Sequence, residues 1–253
     1  MINVELKGGA VKEFENGTTP AEIAKSIGAG LYKSVCCAKV DGDLCDLRTP
    51  LEKDCKVELL TFDNVDGQKT FWHTASHVLA QAVKRLYPNA KCAIGPAVDN
   101  GFYYDFDVEK PFSPEDLEKI KAEMKKIVKS GLELERVELS PEEAEKKLEE
   151  MNEPYKVELV KEHSDKGEHI TFYKQGEFID LCAGPHLMSV APIKAIELTA
   201  CTGAYWRGDA NNAQLCRVYG VAFPKASMLE EHLKKLEEAK LRDHNKLGRE
   251  LEY

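Results

Sequence analysis

The chain has 253 residues, of which 43% are hydrophobic and 31% charged, and 35 basic against 44 acidic side chains give a net charge of −9. This composition is typical of a globular protein with one large or two unequal domains, and it argues against extended disorder. The acidic balance excludes a general nucleic-acid coat, which would need concentrated Lys and Arg to bind phosphates, but it allows local basic patches.

The sequence predicts neither a membrane partner nor a secreted protein. Its charge-free run over 70–83 is shorter than the ~20 residues that cross a bilayer. The N-terminal residues lack the basic and then apolar order of a secretion signal. The eight cysteines include no CxxC pair, which disfavours both a disulfide framework and a zinc ribbon. We therefore expect a cytoplasmic protein whose thiols are mostly reduced.

Residues 1–62 have the order of elements found in a ubiquitin-like β-grasp domain. The Thr19-Pro20-Ala21-Glu22 sequence supplies an N-cap and a proline at the first helical position, and Gly28 ends that helix. An Asp41-Gly42 pair predicts a tight turn. Alternating polar and apolar residues predict strands over 2–6, 11–14, 35–40 and 56–62. Because no nucleophile or cofactor loop is evident, a small binding or spacer module is the simplest interpretation.

Residues 63–224 are predicted to form a larger α+β sandwich with its helices on one side, after a polar linker at 63–69. Asn100-Gly101 indicates the turn of a hairpin over 93–107. Helices are predicted over 71–86, over 113–130, and from a capping box at Ser140. Further strands are predicted over 155–160, 170–174, 177–181, 196–202 and 215–222.

Residues 225–253 predict one long helix that connects to a further domain. The segment is polar and has no net charge. Its leucines form one apolar stripe along the helix, at Leu229, Leu233, Leu236 and Leu247.

Two pairs of side chains at four-residue spacing stand out in the larger unit. His73 and His77 fall on one face of a predicted helix. Position 74 is threonine, which excludes the HExxH arrangement of zinc peptidases. The second pair, Cys182 and His186, supplies a thiol and a third imidazole. Together the four groups suit tetrahedral zinc, and they equally suit a metal-free cluster that moves protons and donates hydrogen bonds.

Two further segments contain residues suited to a nucleotide. Gly95 allows the backbone to approach a ligand closely, and Tyr104 lies near the turn of the predicted hairpin. An ordinary hairpin with aromatic cross-strand packing explains the same residues. Within 202–209, Arg207 directly follows the aromatic residues Tyr205 and Trp206. An arginine next to stacking rings suits a phosphate and a nucleobase, whereas a folded core explains the arginine less well.

Four motifs of the larger unit resemble the editing domain of bacterial-type threonyl-tRNA synthetases. They are HTASHVLAQAVKRLYP, AIGPAVDNGFYYDFD, DLCAGPH and TGAYWRGDANN. Residues 1–62 resemble the N-terminal TGS domain of that family, and the closing helix resembles its connector. The resemblance implies an N-terminal fragment without the class II catalytic core, which uses ATP, Mg²⁺ and zinc, and without the anticodon-binding domain. Such a fragment is not expected to ligate threonine to tRNA(Thr).

The resemblance implies hydrolysis of the ester of mischarged seryl-tRNA(Thr), with the 3′ end of the tRNA as the partner. Serine lacks one methyl group of threonine, which separates the two substrates by only ~1–3 kcal/mol, so a second, hydrolytic site restores accuracy. The terminal adenosine is expected to stack near the Tyr104 hairpin and the Tyr205-Trp206-Arg207 segment, while the backbone at Gly95 and around Leu181 holds the seryl group. With a net charge of −9, the chain is expected to bind tRNA weakly and in a salt-sensitive way.

The resemblance also implies roles for the polar groups, including Asp180 and Lys156, which alone would be interpreted as a turn carboxylate and a surface lysine. The expected catalytic set consists of His73, Lys156, Asp180 and Cys182. His73 would orient or deprotonate the attacking water, and Lys156 would stabilise or relay charge. His77 and His186 would help to recognise the seryl group. Because a dication repels the seryl ammonium, we expect no required cofactor. Zinc is the alternative, with the ligands His73, His77, Cys182 and His186.

Two other functions are compatible with these residues. One is a free-standing, zinc-dependent editing hydrolase of the alanyl type, which shares the HxxxH and CxxxH elements. The other is a non-catalytic RNA-binding module built on the TGS domain. The chain contains no GxxxxGK[ST] loop, which excludes a GTPase function but leaves simple RNA binding open.

Overall fold

The computed structural model of the chain describes residues 1–250, and all of their side chains except those at 245 and 247–250. Residues 251–253 of the predicted connector and the side chain of Leu247 in its apolar stripe therefore lie outside the described part. Among the described residues, no helix is both long enough and apolar enough to cross a membrane.

The first unit is a five-stranded sheet with two short helices, which confirms the predicted β-grasp and adds one strand and one helix that were not predicted. Its strands are β1 (Ile2–Leu6), β2 (Val11–Phe14), β3 (Val35–Val40), β4 (Asp43–Cys45) and β5 (Cys55–Thr61), and its helices are α1 (Pro20–Ile27) and α2 (Ala29–Ser34). In space the strand order is β2-β1-β5-β3-β4, with β1 and β5 parallel. The predicted cap of α1 is present, because the Thr19 hydroxyl and the Glu22 carboxylate each accept the backbone N–H of the other residue.

The larger unit combines two antiparallel sheets with helices, which confirms the predicted α+β class. Its strands are β6 (Lys91–Cys92), β7 (Ala97–Val98), β8 (Gly101–Asp107), β9 (Leu134–Glu138), β10 (Thr171–Gln175), β11 (Phe178–Leu181), β12 (Ala195–Tyr205) and β13 (Gln214–Phe223). Its helices are α3 (Val65–Leu86), α4 (Pro114–Ser130), α5 (Pro141–Glu150) and α6 (Pro154–Asp165), and α7 (Ala226–Glu250) follows. One sheet has the order β12-β13-β8-β6, with β7 paired to β8, and the other has the order β11-β10-β9.

Helix α3 is the central element of the larger unit and places two of the candidate histidines. Its apolar face, which includes Phe71 and Val78, is fully buried in one cluster with Phe102 of β8. The Trp72 indole N–H donates to the carbonyl of Ala222 in β13 at 2.8 Å. Because α3 is fixed against this sheet, the side chains on its opposite face have a fixed position relative to the second sheet.

The polar segment 63–69 is not a linker, and this prediction was wrong. Asn64 caps α3 by accepting the backbone N–H of Asp66 at 2.8 Å, so the helix begins at Val65. Gly67 lies against the end of β5, where an added Cβ atom would be only 1.9 Å from the carbonyl oxygen of Thr61. The two units are therefore joined directly by a helix that packs on the last strand of the first unit.

The segment 155–160 was predicted as a strand and is instead part of helix α6. Pro154 occupies the first turn of this helix, a position that tolerates proline because no N–H is needed there. The buried side chains Lys156 and Val160 are four residues apart, which is the spacing of one helical face. The alternation of polar and apolar residues in this short segment therefore misled the assignment, because one of its inward-facing residues is a lysine.

The cysteines are mostly free thiols, as expected. Cys201 and Cys216 form a disulfide between the neighbouring strands β12 and β13. The other six cysteines are unpaired. The disulfide was not predicted, since its two cysteines show no paired spacing and come together only through the strand register.

Candidate active site

A cavity of about 550 Å³ opens between α3, α6 and the turn that follows β11. The larger unit supplies most of its walls, including His73 and His77 of α3, Lys156 of α6, and the segment 180–185. The first unit contributes Leu44 of β4, whose side chain is exposed at the rim. The cavity therefore lies where the two predicted four-residue motifs were expected to meet.

The structure brings both motifs together at one point. The Cys182 sulfur lies 3.1 Å from Nε2 of His186 and 3.4 Å from Nε2 of His73. The imidazole ring centre of His77 is 4.3 Å from that of His186. One ligand atom from each of these four residues lies within 4.8 Å of the other three. A stretch of more than one hundred residues separates the two motifs in sequence, so only the fold assembles this cluster.

Thr74, inside the first motif, fixes the orientation of the His186 ring. Its hydroxyl lies 3.1 Å from the Thr70 carbonyl, 2.9 Å from Nδ1 of His186, and accepts the backbone N–H of Leu187 at 3.1 Å. The single hydroxyl hydrogen can satisfy the Thr70 carbonyl, which is only an acceptor, and we therefore assign the proton to Nδ1 of His186. Nε2 is then an acceptor that faces Cys182 and the cavity.

A buried ion pair lies at the base of the cavity. Lys156 Nζ is 2.9 Å from one oxygen of Asp180, and the Tyr104 hydroxyl donates to the other oxygen at 2.6 Å. His77 Nε2 is 3.5 Å from that same oxygen. Burial alone would raise the pKa of Asp180, but Lys156, His77 and Tyr104 together hold it below its usual value. Asp180 is therefore an anion, and Lys156 is its cation.

The three imidazoles are neutral at physiological pH. Burial lowers the pKa of His73 to about 3, and the neighbouring His77 adds to the effect. Burial likewise lowers the pKa of His77 to about 4 and that of His186 well below its usual value. Burial also raises the pKa of the Cys182 thiol to about 12, so Cys182 carries a proton that it can donate to Nε2 of His186.

The donor set of the cluster is compatible with a metal ion such as zinc. Neutral imidazoles and a cysteine sulfur are the ligands that tetrahedral zinc takes in proteins. Nδ1 of His77 is buried and has no hydrogen-bond partner among the described residues. The Thr74 hydroxyl, bonded to Nδ1 of His186, resembles the outer hydrogen bonds that orient histidine ligands.

Tyr104 requires a correction, because it was expected to stack on the terminal adenosine. Its side chain is completely buried and stacks on Phe106, so no face of the ring is open to a nucleobase. Its role in the structure is to hold Asp180 through the hydroxyl. Gly95 lines the cavity as predicted, and an added Cβ atom there would be 2.1 Å from the Tyr104 ring. Gly95 therefore lets the cavity wall pack directly on Tyr104.

The structure does not bring Tyr205 and Arg207 to the cavity. Neither residue is among its lining residues. The Arg207 guanidinium pairs instead with Glu158, at 2.8 Å, and with Glu162, both on α6. These carboxylates offset the positive charge of Arg207, which was expected to contact a phosphate. Tyr205 remains exposed, away from the four-residue cluster.

Three residues near the site were missed in the sequence. In the sequence, Thr74 served only to exclude the HExxH motif of zinc peptidases. Its position between two histidines on one helix could have indicated a role at the site. Tyr173 of β10 lies with its ring centre 4.4 Å from that of His186. Leu44 reaches the rim from the first unit, and no local pattern relates it to a site so far along the chain.

Comparison with known proteins identifies both units. Residues 2–61 match the TGS domain, and residues 170–219 match the threonyl and alanyl tRNA synthetase second additional domain. The second match includes Asp180, Cys182 and His186 of the site. The chain thus combines two domains, of which the second is named for aminoacyl-tRNA synthetases.

The whole chain is homologous to the N-terminal part of threonine--tRNA ligases. It is 57% identical over 252 residues to the threonine--tRNA ligase of Acetivibrio thermocellus and 58% identical over 252 residues to that of Clostridium tetani. Each alignment covers 100% of this chain and 40% or 39% of the relative. The enzyme of Caldanaerobacter subterraneus is 55% identical over 249 residues, with 98% and 38% covered. The chain therefore spans about two fifths of the length of these relatives.

Proposed function

We propose that the cavity hydrolyses the ester bond of seryl-tRNA(Thr) and so acts as the editing site of a threonyl-tRNA synthetase in the cytoplasm. The observation that carries the proposal is the convergence of His73, His77, Cys182 and His186 with the Lys156–Asp180 pair in one open cavity. The names of the relatives support the choice of substrate. A ligation site for threonine discriminates against serine by only ~1–3 kcal/mol, so it needs a second site that removes serine.

In the proposed reaction, the oxygen of a water molecule forms a bond to the ester carbonyl carbon, the acyl C–O bond breaks, and the ribose oxygen of the terminal adenosine leaves as a hydroxyl after taking a proton from that water. His73 is partly exposed to the cavity and accepts a hydrogen bond from this water. With a pKa of about 3, His73 is a poor proton acceptor at pH 7. His73 therefore orients the water, which narrows the role expected from the sequence.

Lys156 is placed to stabilise the negative charge that develops on the carbonyl oxygen. Its ammonium lines the cavity and is fixed by Asp180 at 2.9 Å, so it is already oriented before the reaction begins. Preorganised charges of this kind lower the barrier because no solvent reorganisation is needed during the reaction. Asp180 and the neutral imidazoles would accept hydrogen bonds from the seryl ammonium and hydroxyl groups.

We propose that the site works without a metal ion. A dication at the cluster would repel the ammonium group of the seryl ester, whereas Asp180 and neutral imidazoles attract it. If zinc were bound, His73, His77, Cys182 and His186 would hold it, and the ion would supply Lewis-acid chemistry. Metal analysis of the purified chain tests this choice. Stoichiometric zinc whose removal by a chelator abolishes hydrolysis would show that the metal-free proposal is wrong.

The deciding experiment is deacylation of seryl-tRNA(Thr) by the wild type and by His73→Ala. We expect the wild type to hydrolyse the seryl ester, and His73→Ala to be slower by at least tenfold, because the attacking water loses the side chain that orients it. Threonyl-tRNA(Thr) is the control and should survive, since the extra methyl group must be rejected. A folded wild-type chain that binds seryl-tRNA without hydrolysing it would favour the RNA-binding module instead.

The alanyl type of editing hydrolase is the second candidate, because the matching domain is named for both threonyl and alanyl synthetases. Comparing hydrolysis rates on seryl-tRNA(Thr) and seryl-tRNA(Ala) distinguishes the two. We expect faster hydrolysis of seryl-tRNA(Thr), since the homologues are threonine--tRNA ligases.

We further propose that this chain works with the catalytic and anticodon-binding domains of a threonine--tRNA ligase. Together these domains would join threonine to tRNA(Thr) with ATP, and Mg²⁺ and zinc would serve the catalytic core. The support is the identity of 57–58% over the whole chain to two enzymes with that name.

A further inference from the structure

Two charged side chains of the β-grasp domain reach under the cavity of the larger unit. Asp46 and Arg48 lie just after β4, and both are largely buried, with side-chain exposures of 5% and 13%. The Arg48 guanidinium contacts carbonyl oxygens of the larger unit with all three of its nitrogen atoms. Nε and Nη2 donate to Leu134 at 3.1 and 3.0 Å, Nη2 donates to Leu187 at 2.6 Å, and Nη1 donates to His186 at 3.2 Å.

The Asp46 carboxylate contacts the same region, and we call the Asp46–Arg48 pair the clamp. It accepts the backbone N–H of His186 at 3.0 Å and the Tyr173 hydroxyl at 2.8 Å, and it forms a bidentate pair with Nη1 of Arg48 at 3.0 and 3.2 Å. The N–H and the carbonyl of His186 are therefore both held by one ion pair from the other domain. Its imidazole is the ring whose Nε2 meets Cys182 in the cluster.

Tyr173 extends the clamp to the rest of the turn. Its hydroxyl, held by Asp46, lies where an added Cβ atom at Gly184 would be 2.3 Å away. Its ring packs on the His186 imidazole, with ring centres 4.4 Å apart. The ring position of His186 is thus defined by Thr74 from α3 and by the Asp46–Arg48 pair from the β-grasp domain.

Two domains can pack together stably without a buried ion pair such as Asp46–Arg48. Burying two charges has a desolvation cost, and apolar contacts hold domains together at least as well. The Lys39–Asp66 pair, at 3.0 Å, also joins the two units, and it is one-third exposed and does not contact the turn after β11. The Asp46–Arg48 pair differs in that most of its contacts converge on His186, its neighbour Leu187 and Tyr173. The planar guanidinium of an arginine donates its hydrogen bonds in fixed directions, whereas the ammonium of a lysine does not.

We propose that Asp46 and Arg48 are positioning residues of the hydrolytic site, through which the docked β-grasp domain sets the orientation of the His186 imidazole. The inference rests on the proposed hydrolysis for its effect on rate. The orientation of His186 itself is independent of that reaction and can be observed in the free protein.

The experiment compares Arg48→Lys with the wild type, and uses Arg217→Lys as the matched control, because Arg217 also binds a carboxylate, that of Asp105, through two of its nitrogens and does not line the cavity. The first readout is the imidazole nitrogen spectrum of His186 by NMR, assigned with a His186→Gln variant. The second is the single-turnover deacylation of seryl-tRNA(Thr) over a range of enzyme concentrations. We expect Arg48→Lys to shift the His186 signals and to lower the maximal rate by at least tenfold, with half-saturation unchanged within twofold. Arg217→Lys should change neither.

Three outcomes would overturn the inference. The first is a folded Arg48→Lys protein with unchanged His186 signals, and the second is one with shifted signals but an unchanged maximal rate. If Arg48→Lys does not fold, Tyr173→Phe replaces it, because this variant keeps the ring and loses only the bond to Asp46. The third is a Tyr173→Phe protein that matches the wild type in both readouts. If the wild type hydrolyses no seryl ester, the proposed function fails, and the His186 signals alone decide whether the clamp positions the ring.

Discussion

At the scale of single residues, Thr74 decides which nitrogen of His186 faces the cavity. Its hydroxyl connects helix α3 to the turn after β11 through Nδ1 of His186 and the backbone N–H of Leu187. The threonine hydroxyl orients the imidazole without adding a charge beside it, whereas a glutamate carboxylate would add one. The sequence motif HTASH therefore has a physical meaning at its second position as well as at its two histidines.

Replacing this hydroxyl by a methyl group tests its role. We expect Thr74→Val to slow the hydrolysis of seryl-tRNA(Thr) by at least tenfold, because the His186 ring then loses the hydrogen bond at Nδ1 that orients it. The variant should also lose ~1–3 kcal/mol of unfolding free energy, since two buried groups lose their partner. Urea unfolding and single-turnover deacylation measure the two effects. Thr74→Ser keeps the hydroxyl and is the control, and a Thr74→Val enzyme as fast as the wild type would contradict the assignment.

At the scale of secondary-structure elements, the turn between β10 and β11 is attached to α3 by charge. The Glu177 carboxylate accepts Nη2 of Arg85 and Nε2 of Gln81, both at 3.1 Å. The hydrogen bond from Arg85 lowers the pKa of Glu177 to about 2. These hydrogen bonds fix the start of β11. This strand contains Asp180 and ends immediately before Cys182.

The attachment predicts a pH dependence of stability. A carboxylate with a lowered pKa stabilises the fold above its unfolded value of 4.5, and this contribution is lost as the pH falls from about 4.5 to about 2. Since Glu177 is more than half exposed, we expect solvent screening to reduce the contribution to about 1 kcal/mol. Urea unfolding at several pH values should show a shallower acid loss for Glu177→Gln than for the wild type. Glu237→Gln on α7 controls for the loss of a surface carboxylate, and equal slopes for Glu177→Gln and the wild type would contradict the prediction.

The elements also show where sequence patterns succeed and fail. The capped helices at Thr19, Ser113 and Ser140 begin as predicted, because a cap is a local hydrogen bond that the nearby residues specify completely. Segment 155–160 was assigned wrongly because the burial of Lys156 depends on Asp180, a distant residue that no local pattern reveals. Local chemistry was predictable, and burial that depends on distant charges was not.

At the scale of the whole molecule, the site residues fall into two groups. The spacing of His73, His77, Cys182 and His186 indicated a site before any coordinates were considered. The contribution of Arg48 was not predictable, since it acts on a residue 138 positions away and its own surroundings show no motif. Tyr104 was expected to lie near the bound adenosine because it is close to the turn of the hairpin, but the close packing permitted by Gly95 buries it.

The net charge of the molecule predicts how it binds tRNA. With a charge of −9, the chain can engage few phosphates, and we expect recognition to depend mainly on the 3′ end. Binding should therefore be weak and still sensitive to salt, with a loss of about tenfold between about 50 and 200 mM salt, compared with ~10³–10⁵-fold for proteins that contact six to ten phosphates. A filter-binding titration at several salt concentrations measures this. A much steeper dependence would indicate an extended basic surface along the tRNA.

The Leu44 side chain at the rim and the Asp46–Arg48 pair beneath the cavity have a consequence for protein engineering. A designer who grafts the larger unit alone onto another enzyme, as a portable proofreading module, would leave a gap in the rim and an unsupported loop behind His186. The smallest transferable part would include residues 44–48 together with the strands that carry them.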